Sequence, residues 1–156
     1  MDIYSLLNRS SIAAGLKAED KSDLINELVD LLEPQVGEGQ LEKIRESVFE
    51  REQIMSTGVG KQLAIPHGKC SGIENILASF AVLDKPVDFD SIDNEPVKLV
   101  FLLVGPNSKS STHIKLLSRI SRLMNSASFR EKLVQCTTAD QIFEAFQNEE
   151  IEYFGK

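Results

Sequence analysis

The chain has 156 residues, of which 42% are apolar and 26% charged, and its formal net charge is −7 at pH 7. This length suits one domain that buries roughly two-thirds of its unfolded surface. The negative charge argues against nucleic acid as a partner, because a nucleic-acid-binding face needs clustered Lys and Arg. The apolar runs are far shorter than the ~20 residues that cross a bilayer, and two cysteines are too few for a disulfide framework. We therefore expect a cytoplasmic protein with no direct membrane insertion.

The N-terminal third is predicted to be mainly helical. A small strand at 11–13 precedes a helix that Asp20 can cap, and the leucine and isoleucine spacing that follows is that of one helix face. Pro34 and the glycines at 37 and 39 end this helix. A second helix is expected over about 40–53, with Arg51 in its last turn. Arg51 there is either a solvated cation favoured at a helix C-terminus or a functional group.

Past residue 67 the apolar pattern changes to short continuous runs. Residues 76–83 and 97–104 are each bounded by turn residues, which predicts two buried strands. Three helices should follow, one beginning near 110–112, one at 128–135 and one at 138–147. Ser or Thr residues precede the last two as possible caps, and Ser110, Ser111 and Thr112 are candidates for the first. The expected fold is an α/β or α+β sandwich with helices covering the sheet.

The most informative stretch runs from Thr57 to Gly68. It is interpreted as a turn, a short apolar strand and then His67 between Pro66 and Gly68. Proline fixes its own φ and favours extended geometry in the residue before it, while glycine adopts φ of either sign. His67 can therefore face a cleft, although a partly buried histidine in a surface turn remains the alternative.

The only other histidine, His113, falls in the first turn of the predicted third helix. A helix start favours a bound anion and disfavours a protonated imidazole, so His113 should stay neutral. It could equally be a histidine that packs at the edge of the core.

Three common chemistries fit the sequence poorly. Gly58 to Lys61 is similar to a phosphate-binding loop, but Gln62 replaces its Ser or Thr and Met55 its first glycine. His67 and Cys70 have a ligand-like spacing, yet zinc requires two further ligands, so no metal is expected. The nucleophile-elbow motif of serine hydrolases does not occur.

Taken together, several segments resemble the IIA domain of the bacterial sugar phosphotransferase system. The similar subfamily is the fructose/mannitol type, which includes nitrogen-regulatory IIA proteins. The resemblance rests on Arg51-Glu52, Thr57-Gly58-Val59-Gly60, Ala64-Ile65-Pro66-His67-Gly68 and Thr112-His113 at a helix start. Lys61-Gln62 departs from the family pattern, since many members carry a small residue or glycine there, and it adds a charge near the mouth of the site.

The resemblance implies a fold and a set of roles. The fold would be a single-domain α/β sandwich over residues 1–148, with a central mixed sheet of about five strands flanked by helices. The sequence itself, apart from the resemblance, predicts a flexible tail at 149–156. His67 would be the phosphorylated histidine, His113 its partner, Arg51 the cation beside the phosphoryl group and Thr57 a supporting hydroxyl. No cofactor is implied beyond the transient phosphohistidine.

Two functions follow from the resemblance. In the first, a histidine phosphocarrier protein donates phosphate to His67, which passes it to a IIB domain or subunit serving sugar uptake. In the second, the phosphorylation state controls binding to regulatory protein targets and no sugar is involved. In either case we expect a modest apolar docking face around His67, with Met55, Leu63 and Ile73 as candidates, because a transient partner must leave quickly.

Overall fold

The computed structural model describes residues 2–37 and 39–155. Within these residues, the strands are β1 (Ile12–Leu16), β2 (Gly58–Gly60), β3 (Leu63–Ala64), β4 (His67–Lys69), β5 (Leu77–Val87) and β6 (Val97–Gly105). The α-helices are α1 (Lys21–Asp30), α2 (Gln40–Ile54), α3 (Ser110–Met124), α4 (Ala127–Gln135) and α5 (Ala139–Phe154). The predicted mixed sheet flanked by helices is confirmed, with six strands in place of about five.

The sheet has the order β1-β5-β6-β3-β2, and β4 also pairs with β6. β5 is antiparallel to β6, while β3 and β4 both run parallel to β6 along its other edge. These two short strands are one extended segment that Ile65 and Pro66 interrupt, because proline has no N–H to donate to the ladder. The carbonyl of Pro66 still accepts a 3.1 Å hydrogen bond from Leu103.

Both faces of the sheet are buried, which explains the continuous apolar runs of β5 and β6. Successive residues alternate between two cores: Phe80 and Phe101 face the layer of α3, α4 and α5, while Ala81 and Val100 face the layer of α1 and α2. The predicted cap at Asp20 is confirmed, since its side chain accepts a hydrogen bond from a backbone N–H in the first turn of α1. Ser126 caps α4 in the same way, as expected of a serine before that helix. The cap of α5 is Thr138, which was predicted to be the first residue of the helix.

Two local predictions are wrong. Gly58 to Gly60 forms strand β2, and the turn lies at Lys61 and Gln62, whose φ values of 58° and 64° make a tight left-handed hairpin connection. The second wrong prediction is that Ser110, Ser111 or Thr112 caps α3. A short 3-10 turn at Asn107–Lys109 precedes this helix, so Ser110 is already helical and no side chain caps its N-terminus.

The prediction of a flexible tail at 149–156 is wrong for residues 149–154, because α5 continues to Phe154. Glu150 is buried, and its carboxylate accepts hydrogen bonds from the backbone N–H groups of Ile3 and Tyr4 at 2.7 and 2.9 Å. Arg119 of α3 donates to the same carboxylate at 2.6 Å. This carboxylate therefore ties the last helix to the N-terminus. Lys156 lies outside the described residues.

Glu150→Ala should lower the free energy of unfolding by about 2–4 kcal/mol, because it leaves one buried and one partly buried N–H group without an acceptor. Urea unfolding followed by circular dichroism measures the change. Glu152→Ala, at an exposed position of the same helix, is the control and should stay close to the wild type. Equal midpoints for the two variants would contradict the docking of the last helix through Glu150.

Candidate functional site

The two histidines lie side by side at one end of the sheet. Their ring centroids are 5.9 Å apart and the ring planes are inclined by 58°. His67 opens β4 opposite Leu103 near the end of β6, and α3, which carries His113, begins shortly after β6 ends. The parallel pairing of β4 with β6 therefore brings together two residues that are far apart in the chain.

The ring of His67 is held in one tautomer. Its Nδ1 lies 2.9 Å from the carbonyl oxygen of Ile65. Because a carbonyl oxygen only accepts, Nδ1 carries the proton and the free lone pair is on Nε2. Burial lowers the pKa of His67, the positive charge of Arg51 lowers it further, and the hydrogen bond to Ile65 opposes both. The ring is therefore neutral and nucleophilic at neutral pH.

His113 is almost completely buried, with 1% of its surface exposed. Neither ring nitrogen has a hydrogen-bond partner among the described residues. Burial lowers the pKa of His113 to about 4, and the charge of Lys69, together with the repulsion that two protonated rings would exert on each other, lowers it further. Gly105 permits this placement, because a Cβ there would lie 3.2 Å from Nδ1. A buried imidazole without partners is costly, and a polar group entering between the histidines would satisfy it.

Arg51 lies in the last turn of α2, as predicted, and borders the same cleft as His67. The cleft has a volume of about 620 Å³. One guanidinium nitrogen of Arg51 donates a 2.8 Å hydrogen bond to the carbonyl of Met55. A guanidinium has five N–H donors, so this bond fixes the side chain while leaving donors for an anion.

Thr57 also borders the cleft, but its hydroxyl is engaged elsewhere. It donates to Glu52 at 2.5 Å, and the backbone N–H of Thr57 donates to the other carboxylate oxygen at 2.7 Å. Both groups are buried. The hydroxyl therefore holds the loop to α2.

The three residues expected to dock a partner are not all at the surface. Met55 is 70% exposed beside the cleft, but Leu63 and Ile73 are buried in the two cores, so that prediction is wrong for both. Their apolar character serves the sheet and its packing. Val59 and Ile92, by contrast, are 52% and 81% exposed on the cleft wall.

Sequence reasoning missed Val59 and Ile92 although each left a signal. Val59 faces solvent because side chains alternate along a strand and the glycines on either side of it face inward. Once Gly58 to Gly60 was interpreted as a turn, this alternation was lost. Ile92 is a single large apolar residue in a segment of turn-forming polar residues.

Glycine is needed at position 68 for its small size and not, as predicted, for its freedom to adopt φ of either sign. Its φ is not in the left-handed region. A Cβ at this position would instead lie 2.8 Å from Oγ of Ser47 and 3.1 Å from its backbone carbon. Glycine is therefore needed for the close approach of α2 to β4, which brings the helix of Arg51 beside His67.

The described residues contain no group of three or more His, Cys, Asp or Glu side chains placed to hold a metal ion. Over the same residues, none of the helices has the length and apolar character needed to cross a membrane.

Comparison with known proteins gives one family. Residues 5–149 match the model of the phosphoenolpyruvate-dependent sugar phosphotransferase system, EIIA 2. A nitrogen regulatory protein of Bradyrhizobium diazoefficiens is 36% identical over 143 residues, covering 92% of this chain and 93% of that protein. The fructose-specific EIIABC component of Bacillus subtilis is 30% identical over 144 residues, covering 92% of this chain but 23% of that protein.

Solved structures agree with this match. The crystal structure of nitrogen regulatory protein IIA-Ntr from Neisseria meningitidis has a TM-score of 0.86 and 30% identity, covering 92% of this chain and 98% of that one. IIA mannitol from Escherichia coli, with a TM-score of 0.74 and 21% identity over 90% and 98% of the two chains, shares the fold. The chain therefore belongs to the EIIA type 2 family of the phosphoenolpyruvate-dependent sugar phosphotransferase system.

Proposed function

We propose that this chain is a phosphohistidine carrier that accepts a phosphoryl group on Nε2 of His67 and passes it to a second protein. One observation carries the proposal: two neutral imidazoles lie 5.9 Å apart, and one of them has its tautomer fixed by a backbone carbonyl. Arg51 on the wall of the same cleft supplies the positive charge that a phosphoryl group requires.

The transfer needs no base, because the nitrogen that attacks is already deprotonated. The lone pair of Nε2 forms a bond to phosphorus as the donor's bond to phosphorus breaks and the donor keeps that electron pair. The ring of His67 gains positive charge, which the Nδ1–H group shares with the carbonyl of Ile65. Onward transfer runs the same step in reverse toward the acceptor, so the only covalent intermediate is a transient phosphohistidine.

Catalysis then depends on positioning and charge. A phosphoryl group in transfer passes through a loose transition state with its charge on three equatorial oxygens. Arg51 can donate two parallel N–H bonds to such oxygens. His113 can donate one from a ring whose nitrogens have no hydrogen-bond partner among the described residues, and such a preorganised donor stabilises charge as it develops.

The family implies the partners. The donor would be a histidine phosphocarrier protein and the acceptor a IIB domain or subunit. In support, the chain has the fold of enzyme IIA-Mtl in its complex with phosphorylated enzyme IIB-Mtl from Escherichia coli, with a TM-score of 0.77 and 20% identity. Met55, Val59 and Ile92 form a small exposed apolar face beside His67, which suits a partner that binds briefly.

A second candidate function is regulatory, with the phosphorylation of His67 controlling binding to other proteins. It is favoured by the names of relatives that match over most of their length, such as nitrogen regulatory proteins of Bradyrhizobium diazoefficiens and Pseudomonas aeruginosa at 36% and 32% identity. Rapid phosphoryl transfer to a purified IIB subunit would support the carrier function. Binding to a target that differs between the two phosphorylation states, without transfer, would support regulation.

Incubation with phosphoenolpyruvate, the first enzyme of the system and the histidine phosphocarrier protein should add one acid-labile phosphate per chain. His67→Ala should abolish this labelling because it removes the nucleophile. Mass spectrometry of the intact protein at neutral pH gives the stoichiometry, and His113→Ala, which keeps Nε2 of His67, is the positive control. Full labelling of the His67 variant would disprove the assignment.

His113→Ala and Arg51→Ala should each slow onward transfer by roughly 10²–10³-fold, as expected for the loss of one preorganised donor. Both variants should still become phosphorylated. Quenched-flow measurement of phosphate transfer from the labelled protein separates this step from the first one. His113→Gln tests whether one amide hydrogen bond is enough. A wild-type transfer rate in His113→Ala would mean that His113 only packs at the edge of the core.

The rings should titrate at lower pH than ordinary histidines, whose pKa is near 6.5. Burial lowers both pKa values, that of His113 to about 4. A lower pKa keeps a ring neutral as the pH falls, so His67 should still accept phosphate at pH 6.5. NMR titration of the ring carbon-bound protons reports each midpoint. A midpoint of 6.5 or higher for His113 would contradict its burial beside His67.

A further inference from the structure

Glu52 is a buried carboxylate that the proposed chemistry does not use. It follows Arg51 in the last turn of α2 and is 7% exposed. Three donors converge on it: the backbone N–H of Thr57 at 2.7 Å, the hydroxyl of Thr57 at 2.5 Å and Nζ of Lys21 at 3.0 Å. A buried charge with this many partners is held in one geometry.

A continuous series of hydrogen bonds leads from this carboxylate to the nucleophile. Beyond the bonds from Thr57 to Glu52, the carbonyl of Thr57 accepts from the N–H of Ile65 at 3.0 Å. The carbonyl of Ile65 in turn accepts from Nδ1 of His67 at 2.9 Å. The position of the Ile65 carbonyl, which selects the tautomer of His67, thus depends on where Thr57 is held.

We propose that Glu52 is a positioning residue, which fixes the tautomer and orientation of the His67 ring through Thr57 and Ile65. The inference rests on the proposed function for its consequence, since a ring fixed in this way presents Nε2 to the phosphoryl group. Its structural content, the dependence of the tautomer on Glu52, stands apart from that function.

The chemistry of the three donors explains why the residue is a carboxylate. Two oxygens can accept all three bonds, whereas a glutamine amide has one acceptor oxygen and would direct its own N–H₂ at a donor. Lys21 balances the charge, and its ammonium group is held over the ring of Phe89 at 4.7 Å from the centroid. An apolar residue in place of Glu52 would leave the N–H of Thr57 unpaired in the interior.

Glu52 also acts on the placement of Arg51. The short segment from Met55 to Thr57 is held at both ends by the last turn of α2, because Arg51 donates to the carbonyl of Met55 while Glu52 accepts from Thr57. Loosening the Thr57 end would change the angle between the Arg51 guanidinium and the His67 ring. Arg51 and His67, which are both proposed to act on the phosphoryl group, are therefore both positioned through Glu52 and Thr57.

Glu52→Gln in the full chain tests the proposal, and Glu150→Gln is a matched control. Glu150 is the other buried carboxylate that accepts from backbone N–H groups and pairs with one cation, but its bonds tie the chain termini together. The readout is the pair of ring ¹⁵N chemical shifts of His67 in the unphosphorylated protein, which reports the tautomer. We expect one tautomer, protonated at Nδ1, in the wild type and in Glu150→Gln, and a mixture in Glu52→Gln.

The rate of phosphorylation gives a second readout. Glu52→Gln should slow acceptance from the phosphorylated carrier protein by up to about 100-fold, the scale of a small misplacement of reacting groups. The KM for the carrier protein should change less than this rate, because Met55 is the one residue of the docking face that lies in the segment held by Glu52. Glu150→Gln should be phosphorylated at the wild-type rate under conditions where both variants are folded.

If Glu52→Gln does not fold, Thr57→Val tests the same dependence of the His67 tautomer on Glu52. This variant removes the hydroxyl that donates to Glu52 and keeps the backbone N–H that also donates to it. It should move the His67 tautomer in the same direction by a smaller amount. In the wild type, a scalar coupling across the hydrogen bond from the nitrogen of Ile65 to the carbonyl carbon of Thr57 should be present.

An unchanged His67 tautomer in folded Glu52→Gln, or in Thr57→Val if the first variant does not fold, would overturn the proposal. So would an equal change in Glu150→Gln, because the effect would then be general destabilisation. These outcomes are separate from the proposed function. If the tautomer depends on Glu52 but His67 takes no phosphate, only the function fails. If His67 is phosphorylated but its tautomer is the same in the wild type and in Glu52→Gln, only this inference fails.

Discussion

The pairing of β4 with the last residues of β6 is the constraint on which the site depends. It places His67 opposite Leu103, next to the point where the chain leaves the sheet and enters α3. Pro66 ends the pairing of β3 just before, which lets the carbonyl of Ile65 turn to the ring of His67 instead of continuing the ladder. Gly68 then allows α2 to lie against β4. The helix α2, the end of β6 and the start of α3 thus meet at the imidazole of His67.

The electrostatics of the site follow from burial. Both imidazoles lie where a charged ring is disfavoured, so both pKa values are lowered and both rings remain neutral. Neutrality gives His67 its free lone pair and gives His113 one N–H donor, for which the part of the chain that the structure describes offers no acceptor. A buried donor left unpaired costs stability, and the protein tolerates that cost at a site where a phosphoryl oxygen could satisfy it.

Much of the architecture could be predicted from the sequence because the apolar patterns were unambiguous. The continuous runs of β5 and β6 and the capped helices that follow them have simple physical signals. A short apolar strand before His67, where β3 lies, was also predicted, but strand β2 was not. β2 and β3 have three and two residues, and their pairing depends on β6, which lies far along the chain. For this reason Gly58 to Gly60 was mistaken for a turn and Leu63 for a surface residue.

The functional site, like the fold, could be predicted from the sequence only in part. Arg51, His67 and His113 carry recognisable chemistry, and their placement at a helix end, after a short apolar strand and at a helix start could be anticipated. That His67 also opens a further strand, β4, was not predicted. The support beneath them could not, because Glu52 is an ordinary-looking acid in a charged helix until its burial and its three donors are seen. Likewise, Glu150 lies in the segment predicted to be a flexible tail, and its backbone partners Ile3 and Tyr4 lie at the opposite end of the sequence.

The central claim is that His67 receives phosphate on Nε2 because Nδ1 is held by Ile65. The most direct test is ³¹P–¹⁵N NMR of the phosphorylated protein labelled with ¹⁵N in the histidine rings. The account predicts a one-bond coupling between phosphorus and Nε2 of His67, with Nδ1 still bearing its proton. A coupling to Nδ1 of His67, or to either nitrogen of His113, would contradict it.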